Sequence, residues 1–287
     1  MNDPVTRTVI AAVIAVVVCV VALQRQSLSR SGAIAAVVVG AAIVLGGGWW
    51  TGVMLMVFFV SSSILSALPS PVPNDEGTGV PGAKRNAIQV LANGGFPAAM
   101  AVGCGLLLLP LFSTPSSSSL TSGSAHFLIA CAGGLAAVMA DTWATEIGGR
   151  FGGQPRTAYG FMPVAIGTSG GVTVAGLIAT VVAALVMGAM TLALPFPNSK
   201  FEVLAAVMVA GVYGSIADSL LGSTLQARYL DPTTGNLVDE PPTRGAKPAH
   251  GWRWMTNDVV NFLCCAKAGL LAAVVLKILE YIFGRVL

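Results

Sequence analysis

Residues 125–148 read AHFLIACAGGLAAVMADTWATEIG, and the reading of this stretch decides the fold. His126 to Met139 is an apolar run, and at its end Asp141, Thr142, Thr145 and Glu146 place two carboxylates and two hydroxyls. Ionisable groups at membrane depth are costly, so each is a candidate functional residue whose partners lie elsewhere in the chain.

Outward from this stretch the chain stays apolar. Of its 287 residues 55% are hydrophobic and 9% charged, against roughly 25% charged in a soluble domain. Apolar runs of a length that crosses ~30 Å of hydrocarbon as helix recur throughout. The expected fold is an all-α, polytopic transmembrane bundle forming a single integral-membrane domain over 1–287, with no sizeable water-soluble part. A net charge of +3 is read as topology and gives no reason to invoke nucleic acid. The five cysteines, Cys19, Cys104, Cys131, Cys264 and Cys265, lie in apolar runs without metal-ligand spacing and read as packing residues.

About eight spans are expected. The first, Val5 to Leu23, resembles a signal segment but lacks a convincing cleavage site, so a retained helix is expected. Ser31 to Leu68 is too long for one helix and breaks at Gly46-Gly47-Gly48, beside the interfacial Trp49 and Trp50. Span four runs from Arg85 to Phe112, span five from Ala125 to Ile147 and span six from Gly167 to Leu194. Span seven covers Glu202 to Gly222, and span eight Asn257 to Phe283. Loops 69–84, 148–166 and 223–256, with the link after span one, carry Arg25, Arg30, Lys84, Arg85, Arg150, Arg156, Arg228, Arg244, Lys247 and Arg253. The other side holds Arg7, Lys200, Lys277 and Arg285. That asymmetry puts the three loops in the cytoplasm and both termini on the opposite side.

Five polar motifs fall at that one end. Asp141 and Glu146 are five residues apart, about 140° around a helix, so they do not form one bidentate pair. Asp141 with Thr145, and Thr142 with Glu146, do share a face. Asp218-Ser219-Leu220-Leu221-Gly222-Ser223-Thr224 repeats the pattern, and Ala140-Asp141-Thr142 is echoed by Ala217-Asp218-Ser219. Carboxylates with hydroxyls suit a Mg²⁺ that keeps waters and substrate phosphates; a carboxylate bonded to a neighbouring helix is the plainer alternative. Asn257-Asp258-Val259-Val260-Asn261 opens span eight, where Asn257 equally suits an N-cap and Asp258 the helix dipole. Gly167-Thr168-Ser169-Gly170-Gly171-Val172-Thr173 sits at a helix start, which favours anions, though small-residue packing explains it as well. Arg150 and Arg156 suit phosphate capture or topology alike. Lys84-Arg85-Asn86 and Asn93-Gly94-Gly95 open span four as cation, amide and glycine. Lys267 either pairs with a carboxylate or snorkels. His126 and His250 read as incidental.

Taken together, Arg85-Asn86-x-x-Gln89-Val90-Leu91-Ala92-Asn93-Gly94, Ala140 to Gly148, Gly167-Thr168-x-Gly170-Gly171-Val172-Thr173, Asp218 to Gln226 and Asn257-Asp258-x-Val260-Asn261 resemble the integral-membrane family that includes phytyl-phosphate kinase of the tocopherol pathway and transmembrane protein 19. The likeness to CTP-using polyprenol and phytol kinases is more distant. The resemblance implies a kinase that moves the γ-phosphoryl of a nucleoside triphosphate, CTP in first place, onto an isoprenyl monophosphate such as phytyl or geranylgeranyl phosphate. Phosphoryl transfer needs positioning and charge neutralisation. Asp141, Glu146 and Asp218 are accordingly expected to be catalytic and, with Asp258, to hold Mg²⁺. Lys84, Arg85, Asn86, Asn93, Arg150, Arg156, Gly167, Thr168, Gly170, Gly171, Thr173, Ser223, Gln226, Asn257 and Asn261 are expected to bind substrate phosphates. The implied partners are the nucleotide, the isoprenyl phosphate and the bilayer, with room for a homo-oligomer. The competing functions are a CDP-lipid-forming nucleotidyltransferase and an ion-coupled transporter, the latter disfavoured because spans one to four and six are nearly bare of polar residues beyond one end.

Overall fold

A computed structural model describes residues 17–18, 20–25, 27–69, 84–108, 122–194, 196, 200–233, 235, 237–243 and 245–283. Seven of its helices are long and apolar enough to cross a membrane: α1 Arg30–Gly47, α2 Trp49–Ser66, α3 Ala87–Leu107, α4 Ser122–Phe151, α5 Val174–Met190, α6 Lys200–Thr224 and α7 Asn257–Phe283. The expected first span lies largely outside the described residues, as do most of loop 69–84, the link after Leu108, Arg7, Arg244 and Arg285.

Each boundary has a local cause. Gly48, with φ +86°, separates α1 from α2 in a conformation that costs glycine little. Asn86 starts α3 through a capping box, accepting from the backbone of Ile88 and Gln89 while the Gln89 side chain takes the Asn86 N–H. That use of Asn86 is structural and differs from the expected phosphate contact. Span six also starts later than expected. Gly167 and Gly170 adopt positive φ, and Gly171–Val172 (β2) pairs antiparallel with Arg156–Thr157 (β1), so the helix waits for the cap at Thr173. Asn257 does not cap α7; Thr256 does, its hydroxyl accepting from Val259 N at 3.4 Å.

The bundle is built around α4. In its apolar stretch 83% of residues are buried, against 22–44% in the other spans, so α4 is the axis and the others shield it from lipid. It packs against α2, α3, α5, α6 and α7. Association in hydrocarbon depends on close backbone approach at small residues, and the contacts follow that rule. Gly133 faces Ala210 and Ala272, Gly134 faces Pro97 and Cys265, and Gly211 faces Ala136 and Ala184. Trp50, expected in an interfacial belt, donates its Nε1–H to Met190 O at 2.6 Å and ties α2 to the end of α5.

Candidate functional site

Four helices bring one polar side chain each to a common cavity: Asn93 from α3, Asp141 from α4, Asp218 from α6 and Asn261 from α7. All four lie one to three turns from the helix ends that carry the long loops. Gly214 and Ala137 keep α4 and α6 close, and Cys264 and Cys265 complete the wall. The Cys265 thiol donates to Asn93 O and Gly134 O at 3.6 Å each, a packing role as expected. The cavity is about 10 Å³, close to the room of one water or one small cation. Among the described residues no side-chain hydrogen bond reaches Asp141, Asp218, Asn93 or Asn261. Two carboxylates and two amides therefore line a space of ionic size.

Glu146 and Asp258 stand outside this cavity, and among the described residues no three acidic, His or Cys side chains form a metal-binding group. The expected four-carboxylate metal set is thus not assembled, for reasons of helix geometry. Glu146 points some 140° away from Asp141 around α4, toward α2. There it is ion-paired with Arg150 and accepts from Ser66, while Arg150 also donates to Leu68 O at 3.0 Å. Trp143 Nε1 donates to Ser61 at 3.1 Å on the same seam. Arg150 is consequently committed to holding α2. Asp258 lies within electrostatic reach of Glu240 instead. The hydroxyls do not join the carboxylates either: Thr142 donates back to Val138 O at 2.9 Å, and Thr145 is exposed.

The other expected phosphate contacts divide similarly. Arg85 lies beside Leu28 in a parallel bridge, donating its N–H to Ser27 O at 3.1 Å and accepting from Ser29 N–H at 3.0 Å, with Glu146 within electrostatic reach, and Lys84 is exposed. Arg156 donates to Phe161 O at 3.0 Å and shapes the turn between β1 and β2. Thr173 is spent on Gly176 N. Gly170 packs against the backbone of Gly222 and Ser223, which seats the Gly167–Thr173 segment on the end of α6, with Thr168 in its turn. Ser223 donates to Leu220 O at 3.0 Å. Lys267 is exposed, and the Glu146–Arg150 contact is the one ion pair among the described residues.

Gln226 belongs to a larger polar network on the loop side. Its Nε2 donates to Ser169 at 2.9 Å, and Ser169 donates to Asp239 at 2.6 Å. Asp239 lies within electrostatic reach of Asp218, which is equally within reach of Asp141. Burial pushes the Asp239 carboxyl above its ordinary range, against the opposing pull of Ser169, Gln226 and the Arg228 guanidinium. Asp239, Arg228 and Ser169 were not singled out in the sequence. No periodicity marks them: Ser169 sits in the turn before Gly171–Val172, and loop 225–256 folds back through isolated bridges and a hairpin of two-residue strands, Tyr229–Leu230 with Leu237–Val238, too short to leave a pattern.

A helical bundle with carboxylates and amides gathered at one end defines a multi-pass integral membrane protein. Residues 13–269 match the family described as integral membrane protein DUF92, and the chain belongs to that family. It is similar to Protein PGR of Arabidopsis thaliana, 31% identical over 208 residues that cover 67% of this chain and 69% of the relative. No solved structure matches it.

Proposed function

We propose that the chain is a Mg²⁺-dependent lipid-phosphate kinase that transfers the γ-phosphoryl of a nucleoside triphosphate, CTP in first place, to an isoprenyl monophosphate. The observation that carries this reading is the meeting of Asp141 and Asp218 with Asn93 and Asn261 at a cavity of ionic size. Two carboxylates and two amide oxygens are hard donors of the kind Mg²⁺ accepts while keeping waters and phosphate oxygens, so the donor set fits. When bound there, the ion would neutralise charge on the phosphates.

The protein's own residues do the rest. Asn93 and Asn261 line the cavity beside the two carboxylates, from α3 and α7, and the packed α4–α6 seam fixes the spacing of Asp141 and Asp218. The Gly167–Thr173 segment, seated on α6, covers the loop side. The acceptor is a phosphate monoester, largely ionised at neutral pH, so no strong general base is required. Its hydrocarbon tail lies in the bilayer among the spans. The excess of Lys and Arg in the loops at this end supports a site facing the cytoplasm.

The test is purified protein with Mg²⁺, a nucleotide panel and prenyl monophosphates of graded length, with diphosphate read by mass spectrometry. Asp141→Asn and Asp218→Asn should each lower turnover by roughly a hundredfold or more. Full turnover in both variants would end the proposal. Label in the γ rather than the α position of CTP should appear in the product; the reverse would indicate nucleotidyl transfer.

A further inference from the structure

Outside the carboxylate cavity, three buried polar atoms of one loop have no hydrogen-bond partner among the described residues: Gln226 Oε1, Arg228 Nε and His250 Nε2. They come from residues that share a face. Arg228 and His250 are a directly bridged antiparallel pair, with Arg228 N–H donating to His250 O at 3.0 Å and His250 N–H to Arg228 O at 3.2 Å. Side chains directly opposite one another across such a pair lie on the same side. Gln226 is two residues before Arg228, and alternation along extended backbone returns it to that side. Gln226 is 1% exposed and Arg228 5%, so bulk solvent does not reach these side chains.

The guanidinium is nearly unused. Among the described residues its one hydrogen bond runs from Nη2 to Ser223 O at 3.4 Å, and no carboxylate approaches within ion-pair distance. Asp239 is the nearest acid, but Ser169 holds its carboxylate, and burial favours its neutral form. Buried polar groups are almost always paired, and an orphaned one calls for an explanation. Three on one face, one of them a guanidinium fork, match an oxyanion: Arg offers Nε and Nη to two oxygens of one phosphate, and His250 offers a third donor. Gln226, its Nε2 held by Ser169, presents Oε1 and accepts from a hydroxyl of the ligand.

We propose that Arg228, His250 and Gln226 form a phosphate-binding subsite on the loop side of the Asp141–Asp218 cavity. The same chemistry would hold a phosphate of a nucleotide or the phosphate of a lipid. The subsite borrows from the kinase reading only the identity of that carrier, since binding does not require transfer.

The experiment uses the full chain in nanodiscs, titrated calorimetrically with inorganic pyrophosphate, CTP and geranylgeranyl monophosphate. The variants are His250→Gln, Arg228→Lys and Arg228→Gln, with the exposed Arg253→Gln for comparison. Pyrophosphate affinity should fall about tenfold or more in His250→Gln and Arg228→Lys, as expected for a lost hydrogen bond to a charged group, and stay unchanged in Arg253→Gln. A matching loss for CTP alone assigns the subsite to the nucleotide; a loss for the prenyl phosphate alone assigns it to the lipid. If Arg228→Gln does not fold, His250→Gln and Arg228→Lys decide. Absence of binding of all three probes to the wild type, or equal affinity in His250→Gln and Arg228→Lys, overturns the proposal. Turnover measured alongside separates the two readings. Weakened binding without any transfer refutes the kinase alone, and normal transfer with unaltered binding in His250→Gln refutes the subsite alone.

Discussion

Asp141 and Glu146 share a helix and a motif, yet one lines the cavity and the other anchors a neighbouring span. Their angular separation was legible in the spacing, but which face met which neighbour was not, because that depends on where α2 docks. The side chains of Arg150 and Glu146 are 6% and 19% exposed, so Glu146→Gln strands a largely buried guanidinium and should cost about 3 kcal/mol of stability. Thermal unfolding should show that loss, while Mg²⁺ affinity stays close to wild type; a lost Mg²⁺ response would return Glu146 to the metal site. Asp239 makes a prediction about pH. Its folded-state value is raised, so the folded chain holds the proton more tightly than the unfolded chain does. Its contribution to stability is therefore fully present below the ordinary carboxylate range and is lost as pH rises through the raised value. Asp239→Asn should unfold at a temperature that exceeds wild type by more at pH 8 than at pH 4. An equal difference at both would refute the assignment.

Among elements, the helices and their breaks were legible because hydrophobic run length and glycine placement fix them locally. The Gly167–Thr173 segment was read as the start of a helix; strand pairing with Arg156–Thr157, a contact between distant residues, takes it out of the helix. Small residues on α4, α5 and α6 are the reason the cavity carboxylates meet. A Cβ at Gly211 would sit 2.8 Å from that of Ala184 and 3.2 Å from that of Ala136. Gly211→Val should therefore push α6 from both neighbours and destabilise the bundle by about 1–3 kcal/mol. At Gly222 a Cβ would lie 2.9 Å from Gly170 N. Gly222→Ala should lift the Gly167–Thr173 segment off α6 and expose Ser169, read as faster amide exchange in residues 167–172 with the spans unchanged.

At the scale of the molecule, the class and the clustering of polar helix ends could be read from the chain, since both follow from composition and from where charge interrupts apolar runs. The joining of Gln226 to Ser169, Arg228 and Asp239 could not, because it depends on contacts between residues far apart in the chain. The crossing of α5 can be checked directly. The four described cysteines are buried, so impermeant maleimide should report chiefly on introduced sites. Tyr159→Cys and Leu230→Cys, at exposed loop positions, should label from one side of the membrane, and Phe201→Cys from the other. Labelling of all three from one side would contradict a spanning α5. The enclosure of α4 also bears on how the chain is made. Synthesis delivers α4 to the lipid before α6 and α7, so Asp141 enters hydrocarbon with Asp218 and Asn261 still unmade. A nascent chain stopped after Met190 would display that acid to lipid, and such fragments should be cleared by the cell's membrane proteases instead of accumulating.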